Sequence, residues 1–183
     1  MKKLLLLFVL ALSLQQTLYA QKTLKVWIVR HAEKDASDPQ DKDPDLSPDG
    51  AKRAEALMKK LKGQKIDSIF VTDYKRTKLT GFPLADRIGI SLKTYEAAAA
   101  KQLTASLKAN AAGKKILIVG HSNTVLELIE AFGGKRPVAK LSDDDYDYIF
   151  ELTIKGDKAD VKTDHYGEES RSVAGADQKE MKM

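Results

Sequence analysis

The chain has 183 residues, no cysteine and a formal net charge of +5. Without cysteine it can form no disulfide, and thiol catalysis or a thiolate metal site is excluded. Lysines and arginines alternate with acidic residues and form no basic stripe, so we expect no nucleic-acid partner. The mild positive balance is compatible with an anionic substrate.

The first 20 residues are typical of a secretory signal peptide. Lys2 and Lys3 give a positive start, an apolar run covers residues 4–14, and a polar stretch ends at the small residue Ala20. The apolar run is shorter than the ~20 residues that span a bilayer. We therefore expect export to the periplasm or the medium, with no stable membrane insertion after cleavage. An uncleaved anchor is the alternative.

Short apolar runs and helical patterns alternate along the rest of the chain. A β-branched run at 24–29 predicts a buried first strand, and a loop rich in Asp and Pro follows at 35–45. Ser47 as N-cap and Pro48 at the first helical position predict a helix that Gly63 ends. We expect further strands at 66–71, 90–93, 116–119, 148–154 and 159–163, and further helices at 74–88, 97–112 and 125–132. Ser122 and Asn123 are expected to lead into the last of these helices.

This alternation predicts an α/β fold, a three-layer α/β/α sandwich with a mostly parallel central sheet. We expect one domain over residues 21–166 and a polar, loosely held tail over 167–183. Ligands of such sheets bind at the carboxyl ends of the strands. His31 and His121 each directly follow an apolar strand, so both should lie on that edge although 90 positions separate them.

The pair Arg30-His31 suits a phosphoryl group. A guanidinium binds phosphate oxygens with charge-assisted hydrogen bonds, and a neutral imidazole can attack phosphorus to form a phosphohistidine. The nearby Arg charge disfavours the imidazolium, and an acceptor on the other ring nitrogen would fix the tautomer. Phosphoryl transfer needs further charge neutralisation, which Arg76 and His121, each just past a predicted strand, can supply.

Four segments resemble the histidine phosphatase superfamily, in its phosphoglycerate-mutase-like branch. They are VRHAEK at 29–34, LSPDG at 46–50, YKRTKLT at 74–80 and VGHSNT at 119–124, in the family's order. The resemblance implies the same sandwich fold, His31 as the phosphorylated nucleophile, and no metal or cofactor. It implies a phosphate pocket of Arg30, Arg76 and His121, with Asn123 as a further candidate. Ala32 stands where the family usually has glycine.

The general acid is the least defined part of this resemblance. Mutase-like members carry a Glu after the third strand, and Glu96 lies in that place, so we expect it to protonate the leaving oxygen. Glu33, near the nucleophile, and Asp73, near the second arginine, are competing candidates. The spacing of His31 and Glu33 does not match the His-Glu-x-x-His zinc motif, which disfavours metal hydrolysis.

The sequence therefore predicts an exported, metal-independent phosphatase that hydrolyses phosphate monoesters through a phosphohistidine. Its substrate is expected to be a phosphorylated small molecule or an envelope phosphoglycan. One alternative is a non-catalytic phosphate- or phosphoglycan-binding module of the same fold, and a less favoured one is a phosphomutase. The acidic stretch 143–145 is expected to be a solvated loop, and His165 a surface residue without a partner. No feature of the sequence indicates an oligomeric state.

Overall fold

The computed structural model describes residues 23–170. The expected signal peptide and residues 171–183 of the expected tail lie outside them. The strands are β1 (Leu24–Arg30), β2 (Ser68–Val71), β3 (Leu92–Thr94), β4 (Lys115–Gly120), β5 (Tyr148–Lys155) and β6 (Lys158–His165). The helices are α1 (Pro48–Leu61), α2 (Lys75–Ile88), α3 (Ala100–Asn110) and α4 (Val125–Ala131).

The six strands form one sheet in the order β3-β2-β4-β1-β5-β6. Strands β1 to β4 are parallel, β5 runs antiparallel to β1, and β6 runs antiparallel to β5. Arg30 pairs with Gly120, and Val71 pairs with Val119. Because these strands end level with one another, the residues that follow them meet at one edge of the sheet. The mostly parallel sheet is as the sequence predicted.

Two hydrophobic cores cover the two faces of this sheet. Leu57 and Leu61 of α1 and Leu84 of α2 pack against one face, together with Trp27 of β1. The opposite face is covered by α3 and α4, and its core includes Leu107, Leu128, Ile129, Phe132 and Ile28. Neighbouring residues of β1 enter different cores because strand side chains alternate between faces. The expected three-layer sandwich is confirmed.

The beginning of α1 is fastened to the loop that follows β1. Ser47 is the N-cap as predicted, and its Oγ accepts a hydrogen bond of 3.1 Å from the backbone N–H of Gly50. The backbone N–H of Ser47 donates to the carbonyl oxygen of Glu33 at 2.9 Å. Gly50 packs so tightly on the Glu33 backbone that a Cβ there would overlap that oxygen. This contact explains the glycine of the LSPDG segment.

Two boundaries differ from the sequence prediction. A 3₁₀ turn, Ala97–Ala99, precedes α3 instead of one continuous helix. The helix after His121 begins at Val125 as predicted, and Ser122 and Asn123 lie in a turn before it, where the Thr124 Oγ1 accepts from the His121 backbone N–H at 3.1 Å. The fold also continues past residue 166, where the tail was expected to start. Ser170 is buried, and its hydroxyl donates to Asp147 Oδ1 at 2.6 Å. Within residues 23–170, no helix is long and apolar enough to cross a membrane.

Candidate active site

The carboxyl edge of the sheet carries a cavity of about 340 Å³. Four of the six site residues that the sequence analysis named lie on its wall: His31, Arg76, His121 and Asn123. The full lining is His31, Tyr74, Arg76, Ala97, His121, Ser122, Asn123 and Thr124. The two histidines therefore lie together at this edge, as their positions after two strands predicted, with ring centroids 5.3 Å apart.

His31 is held as a neutral imidazole. Its Nδ1 lies 2.8 Å from the carbonyl oxygen of Ala32, which can only accept, so Nδ1 carries the proton and Nε2 keeps its lone pair. The pKa of His31 is lowered to about 3, chiefly by burial, and the positive charge of Arg30 contributes more to this lowering than His121 and Arg76 do. The Ala32 carbonyl acts in the opposite direction but does not overcome burial. An unprotonated Nε2 is the form that can attack phosphorus.

His121 lies on the other side of the cavity and has a buried hydroxyl behind it. Its Nε2 lies 2.9 Å from the Oγ1 of Thr72, the residue that follows β2. The pKa of His121 is lowered to about 4, chiefly by burial and to a lesser extent by the positive charges of Arg76 and Arg30. Both histidines are therefore neutral at neutral pH while two guanidiniums supply the positive charge.

Arg76 is the second guanidinium of the site, at the start of α2. Its side chain is 15% exposed and stacks over the ring of Tyr74, with Cζ 4.3 Å from the ring centroid. The edge of Tyr74 also meets His121 at a centroid distance of 5.3 Å. Asp43 approaches Arg76, with 3.7 Å between Oδ1 and Nη1. Sequence reasoning missed Tyr74 and Asp43; Tyr74 opens the resembling segment, whereas Asp43 has no distinguishing pattern around it.

Arg30 is near the cavity but is not among its lining residues. Its Nη1 donates to the carbonyl oxygens of Ser142 at 2.8 Å and Asp143 at 2.9 Å, and its guanidinium stacks on Tyr146 at 4.1 Å. The Nε is buried and has no hydrogen-bond partner within residues 23–170. The stretch 143–145 is a loop with exposed Asp143 and Asp144 side chains, as expected, and its backbone carbonyls also bind the Arg30 guanidinium.

Of the candidate acids, Glu33 is fully engaged elsewhere. Both of its carboxylate oxygens accept from Arg53 Nε, at 2.8 and 2.9 Å, and Arg53 is itself buried. Asp73 is largely exposed and pairs with Lys78 at 2.6 Å. Neither Glu33 nor Asp73 lines the cavity.

Glu96 is exposed and is not among the lining residues of the cavity, although its neighbour Ala97 is. Its role as the acid therefore stays a prediction. His165, expected to lack a partner, is paired: its Nδ1 lies 2.9 Å from Oδ2 of the buried Asp147. Among the residues that the structure describes, no group of three or more His, Asp or Glu side chains could hold a metal ion.

Comparison with known proteins gives one family and a large set of similar folds. Residues 26–99 match the sequence model of the histidine phosphatase superfamily, branch 1, a stretch that includes His31, Arg76 and Glu96 but ends before His121. A comparison with curated proteins finds no match.

Among similar solved structures is the protein histidine phosphatase SixA complexed with tungstate: 19% identity, TM-score 0.61, 77% of this chain and 96% of that chain covered. A mycobacterial glucosyl-3-phosphoglycerate phosphatase has 14% identity and a TM-score of 0.61, with 80% of this chain and 100% of that chain covered. A second mycobacterial hydrolase has 15% identity and a TM-score of 0.65, with 82% and 94% covered. At these identities the structures show a shared fold. The sequence match over residues 26–99 and the shared fold show that this chain is similar to the histidine phosphatase superfamily, branch 1.

Proposed function

We propose that this chain is an exported phosphatase that hydrolyses phosphate monoesters through a phosphohistidine on His31, without a metal ion. The observation that carries the proposal is the state of His31. Its Nδ1 proton is bound by the Ala32 carbonyl, so the lone pair of Nε2 is available in a cavity that Arg76 and His121 also line. A surface histidine at a strand end would need none of these partners.

The proposed reaction has two steps. His31 Nε2 attacks the phosphorus in line, the bond from phosphorus to the ester oxygen breaks, and a phosphohistidine forms. Arg76 and His121 hold the equatorial oxygens, and the nearby charge of Arg30 adds to the positive potential. Water then attacks the phosphohistidine, which releases inorganic phosphate and restores the His31 lone pair. The two guanidiniums supply the charge neutralisation that a metal ion supplies in other phosphatases.

The direct test is turnover of an aryl phosphate by the mature protein in the presence of a chelator. We expect His31→Ala to lower kcat by at least ~10³-fold, since removing a nucleophile leaves only binding contributions. The matched control is His165→Ala, which removes an exposed histidine that does not line the cavity and should leave turnover unchanged. Undiminished turnover in His31→Ala would overturn the nucleophile assignment. Phosphate binding with no turnover in the unaltered protein would support the non-catalytic binding module instead.

The acid has its own test. If Glu96 protonates the leaving oxygen, Glu96→Gln should slow hydrolysis of alkyl phosphates, which are poor leaving groups, far more than hydrolysis of aryl phosphates. The matched control is Asp73→Asn, which alters an exposed carboxylate paired with Lys78 and should affect neither substrate. Equal effects of Glu96→Gln on both substrates would exclude Glu96 as the acid.

The substrate is expected to be a phosphorylated small molecule or an envelope phosphoglycan. The solved relatives include a phosphatase for glucosyl-3-phosphoglycerate and a protein histidine phosphatase. A panel of sugar phosphates, phosphoglycan fragments and phosphopeptides, compared by kcat/KM, would identify the class. Export is tested separately by recovering the protein from the periplasm or medium and sequencing its amino terminus, where cleavage after Ala20 is expected.

A further inference from the structure

Two buried threonines lie behind the ring of His121. Thr72 is 1% exposed and Thr77 is 0% exposed. The Thr72 Oγ1 lies 2.9 Å from His121 Nε2 and 3.0 Å from the Thr77 Oγ1. The Thr77 hydroxyl also lies 2.9 Å from the Thr72 carbonyl and 2.8 Å from the Tyr74 carbonyl. The result is a short chain of hydroxyls that starts at backbone carbonyls and ends at the imidazole.

The direction of these hydrogen bonds follows from the number of protons available. Carbonyl oxygens can only accept, so Thr77 donates its single hydroxyl proton to the carbonyl of Thr72 or of Tyr74. The hydroxyl oxygen of Thr77 therefore accepts the single hydroxyl proton of Thr72. With no proton left to donate, Thr72 must accept from His121. The proton of the neutral His121 ring is accordingly on Nε2.

We propose that Thr72, supported by Thr77, is a positioning residue that fixes the His121 proton on Nε2 and leaves an unprotonated Nδ1 for the phosphate cavity. His121 can then donate to a phosphoryl oxygen only after Nδ1 takes up a proton. Binding of a dianionic phosphoryl group is therefore accompanied by uptake of one proton from solvent, and the neutral imidazole becomes an imidazolium. The inference rests on the proposed function, because it assigns His121 to phosphate binding.

The charges around His121 explain why the proton arrives with the anion. Arg30 and His31 face it from the end of β1, and Tyr74 and Arg76 face it from the start of α2. Burial and the two guanidiniums hold the pKa of His121 at about 4. A dianion beside the ring reverses the local potential and favours the imidazolium. Protonation then adds a charge-assisted hydrogen bond to the anion.

Calorimetry with tungstate tests this coupling, since tungstate is a dianion at pH 8 that carries no proton into the site. Titrations in buffers of different ionisation enthalpy give the number of protons taken up. We expect about one proton for the unaltered protein and for Thr72→Ser, which keeps the hydroxyl. Thr72→Val keeps the shape but cannot accept from Nε2, so it should bind tungstate about 10-fold more weakly, as loss of one hydrogen bond to a charged group predicts. Zero uptake by the unaltered protein would overturn the inference.

Nitrogen NMR of the His121 ring reports its tautomer, which a general loss of stability does not alter. The unaltered protein and Thr72→Ser should show the Nε2–H tautomer, and Thr72→Val should show a mixture or the Nδ1–H form. If Thr72→Val fails to fold, Thr77→Val replaces it, since without the Thr77 acceptor the Thr72 hydroxyl can donate to Nε2. An Nδ1–H tautomer in the unaltered protein contradicts the proposal. Proton uptake without turnover would instead leave this inference standing and refute the phosphatase assignment.

Discussion

The two cavity histidines should make the stability of this fold strongly dependent on pH. His31 and His121 have pKa values of about 3 and about 4 in the folded chain, against 6.5 for an unperturbed histidine. Below pH 6.5 these two histidines become protonated in the unfolded chain but stay neutral in the folded chain, so the free energy of unfolding falls as the pH falls. The contribution of the two neutral histidines to stability is complete above pH 6.5, and it is lost progressively as the pH falls toward their pKa values in the folded chain.

The size of the effect follows from these pKa values. Between pH 7.5 and pH 5 each histidine stays neutral in the fold but becomes protonated in the unfolded chain. Each then removes about 2 kcal/mol of unfolding free energy, because one pKa unit corresponds to ~1.4 kcal/mol. The pair together removes about 4 kcal/mol, a large part of the ~5–15 kcal/mol that stabilises an ordinary domain.

Denaturant titrations followed by tryptophan fluorescence can measure this loss. Trp27 is the only tryptophan of the chain and is buried in β1, so its emission reports unfolding directly. Replacing His31 by Asn should halve the loss between pH 7.5 and pH 5, and replacing His121 as well should nearly abolish it. The reasoning is refuted if the single variant loses as much stability over this range as the unaltered protein.

Two further predictions concern contacts that support the site. Gly50→Ala should destabilise the fold by several kcal/mol, because its Cβ meets the Glu33 carbonyl oxygen, whereas Gly63→Ala, which meets open space, should change thermal stability little. Asp43→Asn should tighten inhibition by inorganic phosphate several-fold, since it removes a carboxylate that competes for Arg76; unchanged inhibition would show that this carboxylate does not compete.

The sequence was most informative where the signal was local. The apolar run of β1 and the buried run of β4 are short and uninterrupted, so their ends could be located to within one residue. Because parallel strands end at one edge, the positions of His31 and His121 directly after two such runs were enough to pair them. The N-cap Ser47 and Pro48 likewise define the start of α1 by chemistry that lies within one turn.

The rest depends on partners that leave no local mark. Arg30 is held by backbone carbonyls at Ser142 and Asp143, and a carbonyl has no side-chain signature in the sequence. Glu33 resembles a candidate acid by position, but its carboxylate is bound by Arg53 on α1, 20 residues further along the chain. The hydrogen bond from His121 to Thr72 joins residues 49 positions apart. Such contacts are fixed by packing of whole elements, which periodicity and spacing do not describe.

The central place of β1 in the sheet has a consequence for how the chain folds. Its neighbours are β4 and β5, so Trp27 pairs with Leu117 and Glu151, far along the chain. Pairing over such distances requires large loops to close first, which slows folding. The cavity can form only when β4 docks beside β1, because each strand delivers one histidine. During refolding, oxyanion binding should therefore recover together with the slow formation of the central sheet and never ahead of it.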